Sequence, residues 1–483
     1  MTLNNNRINK KLLKNIVLSS LGILINIFLL LITLSIDNVP IDEWIKLFAF
    51  ISLAQLFFNI VLLKFLGEEL FSLTCLFLIF SYLFHFSYIF MLGFQIKPSY
   101  SRQILFNSVP INLIKDTSTF ILFVQAFVAL GMILIYIKPI KYSDTPLQKS
   151  NIIMSKKIIK YMGTICVGIG IIPMIYIDIS KLIAYQENGY LAIFELEVRN
   201  IYLLAKLTIV GVMLLIIANK ENKKMAMVIV FLSIFYQFFS MLSGGRGEAV
   251  ITIITLTYLY IKVVKEVQFK TIFQYFVIGY IGVIFINIIR EYREKNGDFR
   301  YLLTILTEQK IVNPIFEIME EFGGTLLSVC FSMRYFPQYA PIQWGANYLA
   351  AAITLLPSNL GDFGDYYNKV EYIYFYPGSR MYMGGSYIGE LYYSFNNYGI
   401  LMALFIGVFV AFISKKIKLS ILNERYFSLI IYLILFSGIL WWVRDYFAGM
   451  IRDLFWISLF LSILYIVVNS IMMRKYLRND KVM

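Results

Sequence analysis

One histidine and three cysteines are all the imidazole and thiol that 483 residues contain. His85 sits alone within Phe84-His85-Phe86, and Cys75, Cys166 and Cys330 are far apart, at least two of them in apolar runs. That scarcity leaves neither a disulfide framework nor a zinc-type His/Cys spacing. A Walker loop and a dinucleotide fingerprint are missing too, and no internal repeat is evident. Charge is equally sparse: 15% of residues are charged against 59% hydrophobic, a balance that a soluble domain of this size does not tolerate. Lipid must be part of the solvent.

What the chain has instead is apolar length. A hydrocarbon-crossing helix takes roughly 20 mostly apolar residues, and such runs recur from Leu12 almost to Met473 with short polar breaks. We expect an all-α, polytopic integral membrane protein of about twelve spans, near 15–36, 46–64, 70–94, 118–137, 159–177, 201–218, 225–242, 248–265, 271–289, 397–414, 426–443 and 454–472. Residues 1–483 then form a single membrane domain. The first run, Ile16 to Ile36, lacks a small-residue cleavage site and leads into the acidic stretch Asp37 to Glu43, so it is expected to be a retained helix and not a signal peptide.

The formal charge of +14 would fit a nucleic-acid partner, but its placement argues against one. Most Lys and Arg gather in alternate loops: Arg7 to Lys14, Lys64, Lys138 to Lys160, Lys220 to Lys224, Lys262 to Lys270, Lys415 to Arg425 and Arg474 to Lys481. The remaining loops sum to a negative charge. By the positive-inside rule both termini are cytoplasmic, which requires an even number of spans. One long interruption, residues 290–396, then falls on the outer face as an inserted loop subdomain. It contains an amphipathic stretch, Ile311 to Tyr335, a short apolar segment, Asn347 to Leu356, that suits an interfacial or re-entrant helix, and a Gly, Asp and Tyr-rich region from Gly361 to Ser386. Ordered loops of this length commonly serve as lids or substrate-binding elements. The Tyr366 to Tyr376 run suits sugar rings and an interfacial belt equally well.

Arginines that break the charge sorting mark the candidate site. In the outer turn Ser243-Gly244-Gly245-Arg246-Gly247-Glu248, Gly244, Gly245 and Gly247 let backbone N–H groups approach an anion. The following helix adds its positive end, and Arg246 offers a bidentate fork. A tight hairpin whose arginine snorkels to headgroups is the plainer alternative. Arg290 and Arg293 leave the ninth helix, and Arg444 and Arg452 bracket the last outer turn. Each of these four precedes an acidic residue and could be merely structural, but a dianionic pyrophosphate needs several donors around it. Where the long loop returns, Arg380-Met381-Tyr382-Met383-Gly384-Gly385-Ser386-Tyr387-Ile388-Gly389-Glu390 supplies Arg380, Gly384, Gly385, Ser386 and Tyr387 as candidate substrate contacts. Glu390 is a candidate general base toward a sugar hydroxyl or, alternatively, a cap or ion-pair partner. His85 is expected to be packed or hydrogen-bonded inside its helix, and Lys206 to snorkel outward.

Three places, Ser243 to Gly247, Arg290-Glu291, and Gly384 to Glu390 followed by an aromatic-Asn stretch and Gly399, make the C-terminal half resemble the O-antigen or oligosaccharide repeat-unit polymerases of Wzy type. The resemblance implies a glycosyltransferase in the bacterial cytoplasmic membrane. It would join undecaprenyl-pyrophosphate-linked oligosaccharides on the outer leaflet to build O-antigen or capsule, with no cofactor and no metal. A chain-length regulator and a flippase would be its partners. Arg246 and Arg290 would neutralise the departing pyrophosphate, with Arg444 and Arg452 as further candidates; the assignment of Glu390 rests on its position alone. Three rivals remain. An O-antigen ligase is expected to carry a histidine in its large outer loop, and this loop has none. A metal-using lipid-sugar glycosyltransferase would place acids in the first outer loop, where Asp37, Asp42 and Glu43 stand. A lipid-linked-oligosaccharide flippase would put its charges at mid-membrane.

Overall fold

A computed structural model describes residues 2–97, 109–137, 149–188, 199–242, 246–265, 313–353, 355–356 and 385–480, with isolated positions at 196, 282, 284 and 288. Among these residues every regular element is a helix. In chain order they are α1 (Thr2–Ser35), α2 (Ile41–Phe65), α3 (Leu73–Gly93), α4 (Ile111–Ile137), α5 (Lys149–Asn188), α6 (Arg199–Ala218), α7 (Lys223–Leu242) and α8 (Arg246–Val263). There follow α9 (Asn313–Gly323), α10 (Thr325–Tyr335), α11 (Ala346–Ile353), α12 (Tyr387–Phe395), α13 (Gly399–Leu422), α14 (Tyr426–Trp442) and α15 (Phe447–Asp480). Among the described residues nine helical stretches are long and apolar enough to cross a membrane. The eighth expected span corresponds to α8, which carries Arg246, Glu248 and Lys262, and the eleventh to the short apolar α14. The ninth, 271–289, lies outside the described residues apart from the isolated positions 282, 284 and 288.

Two boundaries moved for physical reasons. α5 was expected to end at 177, yet it runs through Asp178 and Lys181 to Asn188, because charge ends an apolar run without ending a helix. The sequence predicts returning loop before Asn396, yet α12 forms there, begun by the Ser386 cap and joined to α13 by a single 3-10 turn.

The described residues fall into two compact units. The first holds residues 1–142, 315–415 and 439–451. Its centre is α3, buried over 83% of its apolar stretch, whereas α1 is buried over 28%. The outward face of α1, with Leu13, Val17, Leu24, Phe28 and Leu31 exposed, meets lipid. Several buried polar side chains are paired between neighbouring helices, which spares those groups the cost of being unmatched in lipid. Asn26 on α1 and Asn59 on α2, both fully buried, exchange amide hydrogen bonds of 2.9 and 3.3 Å. Tyr82 on α3 donates to Gln55 on α2 at 2.6 Å. Asn15 donates to the last carbonyls of α4, those of Tyr136 and Ile137. The short helices of the loop pack inward too: Leu326, Leu327, Val329 and Cys330 of α10 are all buried.

Between α4 and α13 the contact is backbone on backbone. A β-carbon at Gly131 would lie 2.1 Å from the Leu404 carbonyl oxygen, and one at Gly407 would lie 1.9 Å from that of Val128. Close approach through small residues is a main way membrane helices gain packing, since lipid supplies no hydrophobic drive between them.

The second unit holds residues 143–314, 416–438 and 452–483. It repeats the device between α5 and α6, where a β-carbon at Gly170 would meet Thr208 N at 2.6 Å and one at Gly211 would meet Val167 N at 2.7 Å. At the end expected to be cytoplasmic, Lys220 pairs with Glu424 at 2.6 Å and also donates to the Tyr426 hydroxyl. Lys156 pairs with Glu221, and Tyr258 packs on Phe436 with ring centroids 4.7 Å apart.

Gly407→Val should push α13 off α4 and cost about 1–3 kcal/mol, the usual penalty of overpacking. The check is a lower thermal midpoint of the purified protein in detergent, with Gly168→Val, where nothing lies within 4 Å, as the neutral comparison.

Candidate functional site

In the first unit the polar groups converge where the long loop re-enters the bundle. Ser386, in extended conformation, caps α12, its Oγ accepting from the N–H groups of Ile388 at 3.1 Å and Gly389 at 3.4 Å. His85 on α3 reaches the same hydroxyl. Its Nδ1 lies 2.7 Å from the Ser81 carbonyl and its Nε2 lies 2.8 Å from Ser386 Oγ. A carbonyl only accepts, so Nδ1 carries the proton. Ser386 Oγ already accepts twice, so its own proton goes to Nε2. The imidazole is therefore neutral, with one tautomer fixed by its surroundings. Beside it, Tyr387 shares a 2.8 Å hydrogen bond with Ser81 Oγ, which also accepts from Gln125 at 3.2 Å.

One turn later stands Glu390, 3% exposed. Its Oε2 accepts from the Trp442 indole at 2.5 Å, and both carboxylate oxygens lie 3.1 Å from the backbone nitrogen of Phe447. Phe447 opens α15, so the carboxylate sits at the positive end of a long helix, where a negative charge is favoured. Gly385 is pressed against the same turn, and a β-carbon there would lie 2.8 Å from the Asp445 carbonyl carbon. Arg444 extends from this turn with its guanidinium over the faces of Phe84 at 5.4 Å and Trp441 at 5.7 Å. Among the described residues it forms no ion pair. Asp445, next to it in sequence, accepts from the Trp441 indole. The acids between α1 and the first turn of α2 are also engaged structurally: Asp37 pairs with Lys115 at 3.2 Å, and Asp42 and Glu43 occupy the first turn of α2, where they complement its dipole.

The second unit holds a cleft of about 60 Å³ among α5, α6, α7 and α8. On one wall Asp178, 6% exposed, accepts from Tyr236 at 2.7 Å and Ser240 at 3.1 Å. On another, Lys206 pairs with Asp453 and lies 3.8 Å from Glu248. Tyr202 donates to Glu248 and offers its ring to Lys206 at 4.6 Å and Lys181 at 5.6 Å. The cleft lies beside the first turn of α8, which begins at Arg246.

Nearly the whole length of this helical chain, residues 16–476, matches the family model described as O-antigen polysaccharide polymerase Wzy. The chain belongs to that family. No curated protein and no solved structure is similar enough to add a relative to the match. A Wzy-family protein is a multi-pass membrane protein of O-antigen and polysaccharide biosynthesis, a glycosyltransferase-like polymerase acting on lipid-linked oligosaccharide repeat units.

Within this Wzy-family chain the described part of the sequence-derived site divides between the units. Gly385, Ser386, Tyr387, Glu390 and Arg444 come together in the first. In the second, Gly247 stands in the first turn of α8, while Arg452, half-buried on α15, immediately precedes the Asp453 that holds Lys206. Gly244, Gly245, Arg290, Arg293, Arg380 and Gly384 lie outside the described residues, as does the side chain of Arg246. Hydropathy alone overlooked Asp178, Lys181, Tyr202 and Tyr236. A usable signal was there: Asp178 interrupts an apolar stretch, and an ionisable residue in that setting calls for a partner.

Glu390→Ala would leave the Trp442 indole and the Phe447 N–H without their acceptor, a loss of about 1–3 kcal/mol. Glu390→Gln, which retains one accepting oxygen, should lose less. Paired thermal unfolding curves in one detergent check the order.

Proposed function

We propose that the protein polymerises undecaprenyl-pyrophosphate-linked oligosaccharide repeat units on the outer leaflet of the bacterial cytoplasmic membrane, transferring the growing chain from its lipid carrier to the incoming unit. The observation that carries this reading is the family match over residues 16–476 in a chain whose helices are those of a multi-span bundle. Twelve spans with cytoplasmic termini, the arrangement that best sorts the basic loops, turn the Gly-rich turn, the loop over residues 290–396 and the Arg444 turn outward.

In the proposed reaction a hydroxyl of the incoming unit attacks the anomeric carbon of the lipid-linked chain. The bond from that carbon to the pyrophosphate oxygen breaks, undecaprenyl pyrophosphate departs, and the hydroxyl proton passes to a base or to the departing phosphate. The chemistry asks chiefly for cations that stabilise the leaving group. Arg246, with the amides of Gly244, Gly245 and Gly247, is assigned to that group together with Arg290, and Arg293, Arg380, Gly384 and Arg452 are assigned to binding phosphate or sugar. Arg444 is supported independently. A guanidinium lying on two aromatic faces and making no ion pair among the described residues keeps its in-plane donors for an anion.

Two roles are open to Glu390, base and clamp. Its contacts favour the clamp, because a carboxylate already accepting from an indole and a helix N-terminus orders the Arg444 turn. The closed hydrogen bonds of Ser386 and Tyr387 likewise favour positioning of that turn. A chain-length regulator and a flippase complete the proposed pathway as partners.

Purified protein supplied in detergent with lipid-linked repeat units should lengthen them, which a flippase would not do. Arg246→Ala should abolish lengthening and leave single units accumulating on lipid in cells; full-length polymer in that mutant would remove Arg246 from its role. Glu390→Gln should keep turnover within about tenfold of wild type, whereas loss of a general base would cost on the order of 10²–10⁴-fold.

A further inference from the structure

An arginine can stabilise a leaving group only from the right place, so whatever fixes the first turn of α8, which carries Arg246, bears on the proposed reaction. Two kinds of contact fix it. From α7, the fully buried Met241 packs on Ala249, with Val250 and Ile253 beside them. From α6 comes a polar hold. Tyr202 donates to Glu248, which stands two residues after Arg246 in the same turn. Lys206, one turn further along α6 and so on the same face, lies 3.8 Å from the Glu248 carboxylate. The same ammonium pairs with Asp453 on α15. The Tyr202 ring lies 4.6 Å from it, a cation–π contact that narrows where the ammonium can go.

Stability alone does not account for this lysine. Lys206 interrupts the apolar stretch Ile201–Ala218, where an ionisable side chain is costly. The side chains of Lys206, Glu248 and Asp453 are 25%, 39% and 27% exposed, and ion pairs with that much exposure contribute little. What the ammonium does uniquely is span three elements: α6, the Arg246 turn of α8, and α15. Remove its charge and the two carboxylates lose the partner they share.

We propose that Lys206 is a positioning residue for the reaction. By bridging Glu248 to Asp453 it sets the first turn of α8 against α15, and so sets the place from which Arg246 acts on the pyrophosphate, without touching the substrate itself. The proposal rests on the polymerase reading and on the role of Arg246 within it.

The test uses the full-length protein in detergent. Lys206→Met keeps the aliphatic stem and removes the charge, Lys206→Arg keeps a cation able to fork to both carboxylates, and Tyr202→Phe removes only the hydroxyl bonded to Glu248. With the lipid-linked repeat unit as substrate, Lys206→Met should lower kcat roughly ten- to a hundredfold, the scale of a misplacement of about an ångström. KM should stay within about threefold, as for an interaction that counts mainly in the transition state. Lys206→Arg should hold kcat within about threefold of wild type, and Tyr202→Phe should fall between the two. Tyr202→Phe carries the comparison if Lys206→Met is too unstable to purify. Lys156→Met, which breaks the pair with Glu221 at the end expected to be cytoplasmic, should leave kcat as it is.

Inorganic pyrophosphate carries the charge that develops on the leaving group, so its binding reads the placement of Arg246 without turnover. Lys206→Met should weaken that binding. Added to Arg246→Ala it should weaken it no further, because a residue that acts through Arg246 then has nothing left to place.

Unchanged kcat and unchanged pyrophosphate binding in folded Lys206→Met would overturn the proposal and leave a bridge that only joins helices. Equal losses in Lys206→Met and Lys206→Arg, or further weakening on the Arg246→Ala background, would overturn it in favour of direct contact with the anion. Wild-type protein that binds pyrophosphate through Arg246 and loses that binding in Lys206→Met, yet never lengthens the lipid-linked unit, would uphold the positioning and defeat the polymerase reading alone.

Discussion

A polar group inside a lipid-embedded bundle has no water in reserve, so where one finds a partner on another helix the pair holds those helices together. That coupling shapes the centre of the first unit. α3 is the most enclosed of the candidate spans and also carries Tyr82, which reaches α2, Ser81, which reaches α4 and the start of α12, and His85, which reaches the cap of α12. The helix is central because its hydrogen bonds can be completed only from several sides at once. Glu390 follows the same rule one step further out, with the donors coming from a tryptophan and from the backbone at the start of the next helix.

Where apolar length and glycine decide the structure, the sequence could be read directly. The expected spans other than 271–289, which falls outside the described residues apart from isolated positions, coincide with helices. Within the amphipathic stretch of the long loop, Asn313–Gly323 and Thr325–Tyr335 are helical. Legibility failed where charge and helix disagree. Asp178 and Lys181 ended an apolar run without ending α5, so the expected boundary set them in a loop and hid the cleft they help to form. The partners of Glu390 were equally hidden, since nothing in the order of residues brings position 390 to Trp442 and Phe447. Sequence did narrow its role to a base, a cap or an ion pair, and the observed contacts are those of a cap.

The two polar clusters differ in kind. Around Ser386 each donor and acceptor of the His85 ring is used. Such networks stiffen a structure and fix a single arrangement. Around Asp178 the carboxylate accepts from the Tyr236 and Ser240 hydroxyls beside a cleft.

The single histidine has a consequence of its own. Because imidazole occurs once in the chain, and there in one neutral tautomer locked between Ser81 and Ser386, its ring resonances report on one junction and nothing else. Whatever loosens the seat of the returning loop must first disturb that ring. A protein otherwise crowded with overlapping aliphatic signals therefore carries its own isolated spectroscopic label, placed by the fold at the point where the long loop is fastened to the central helix.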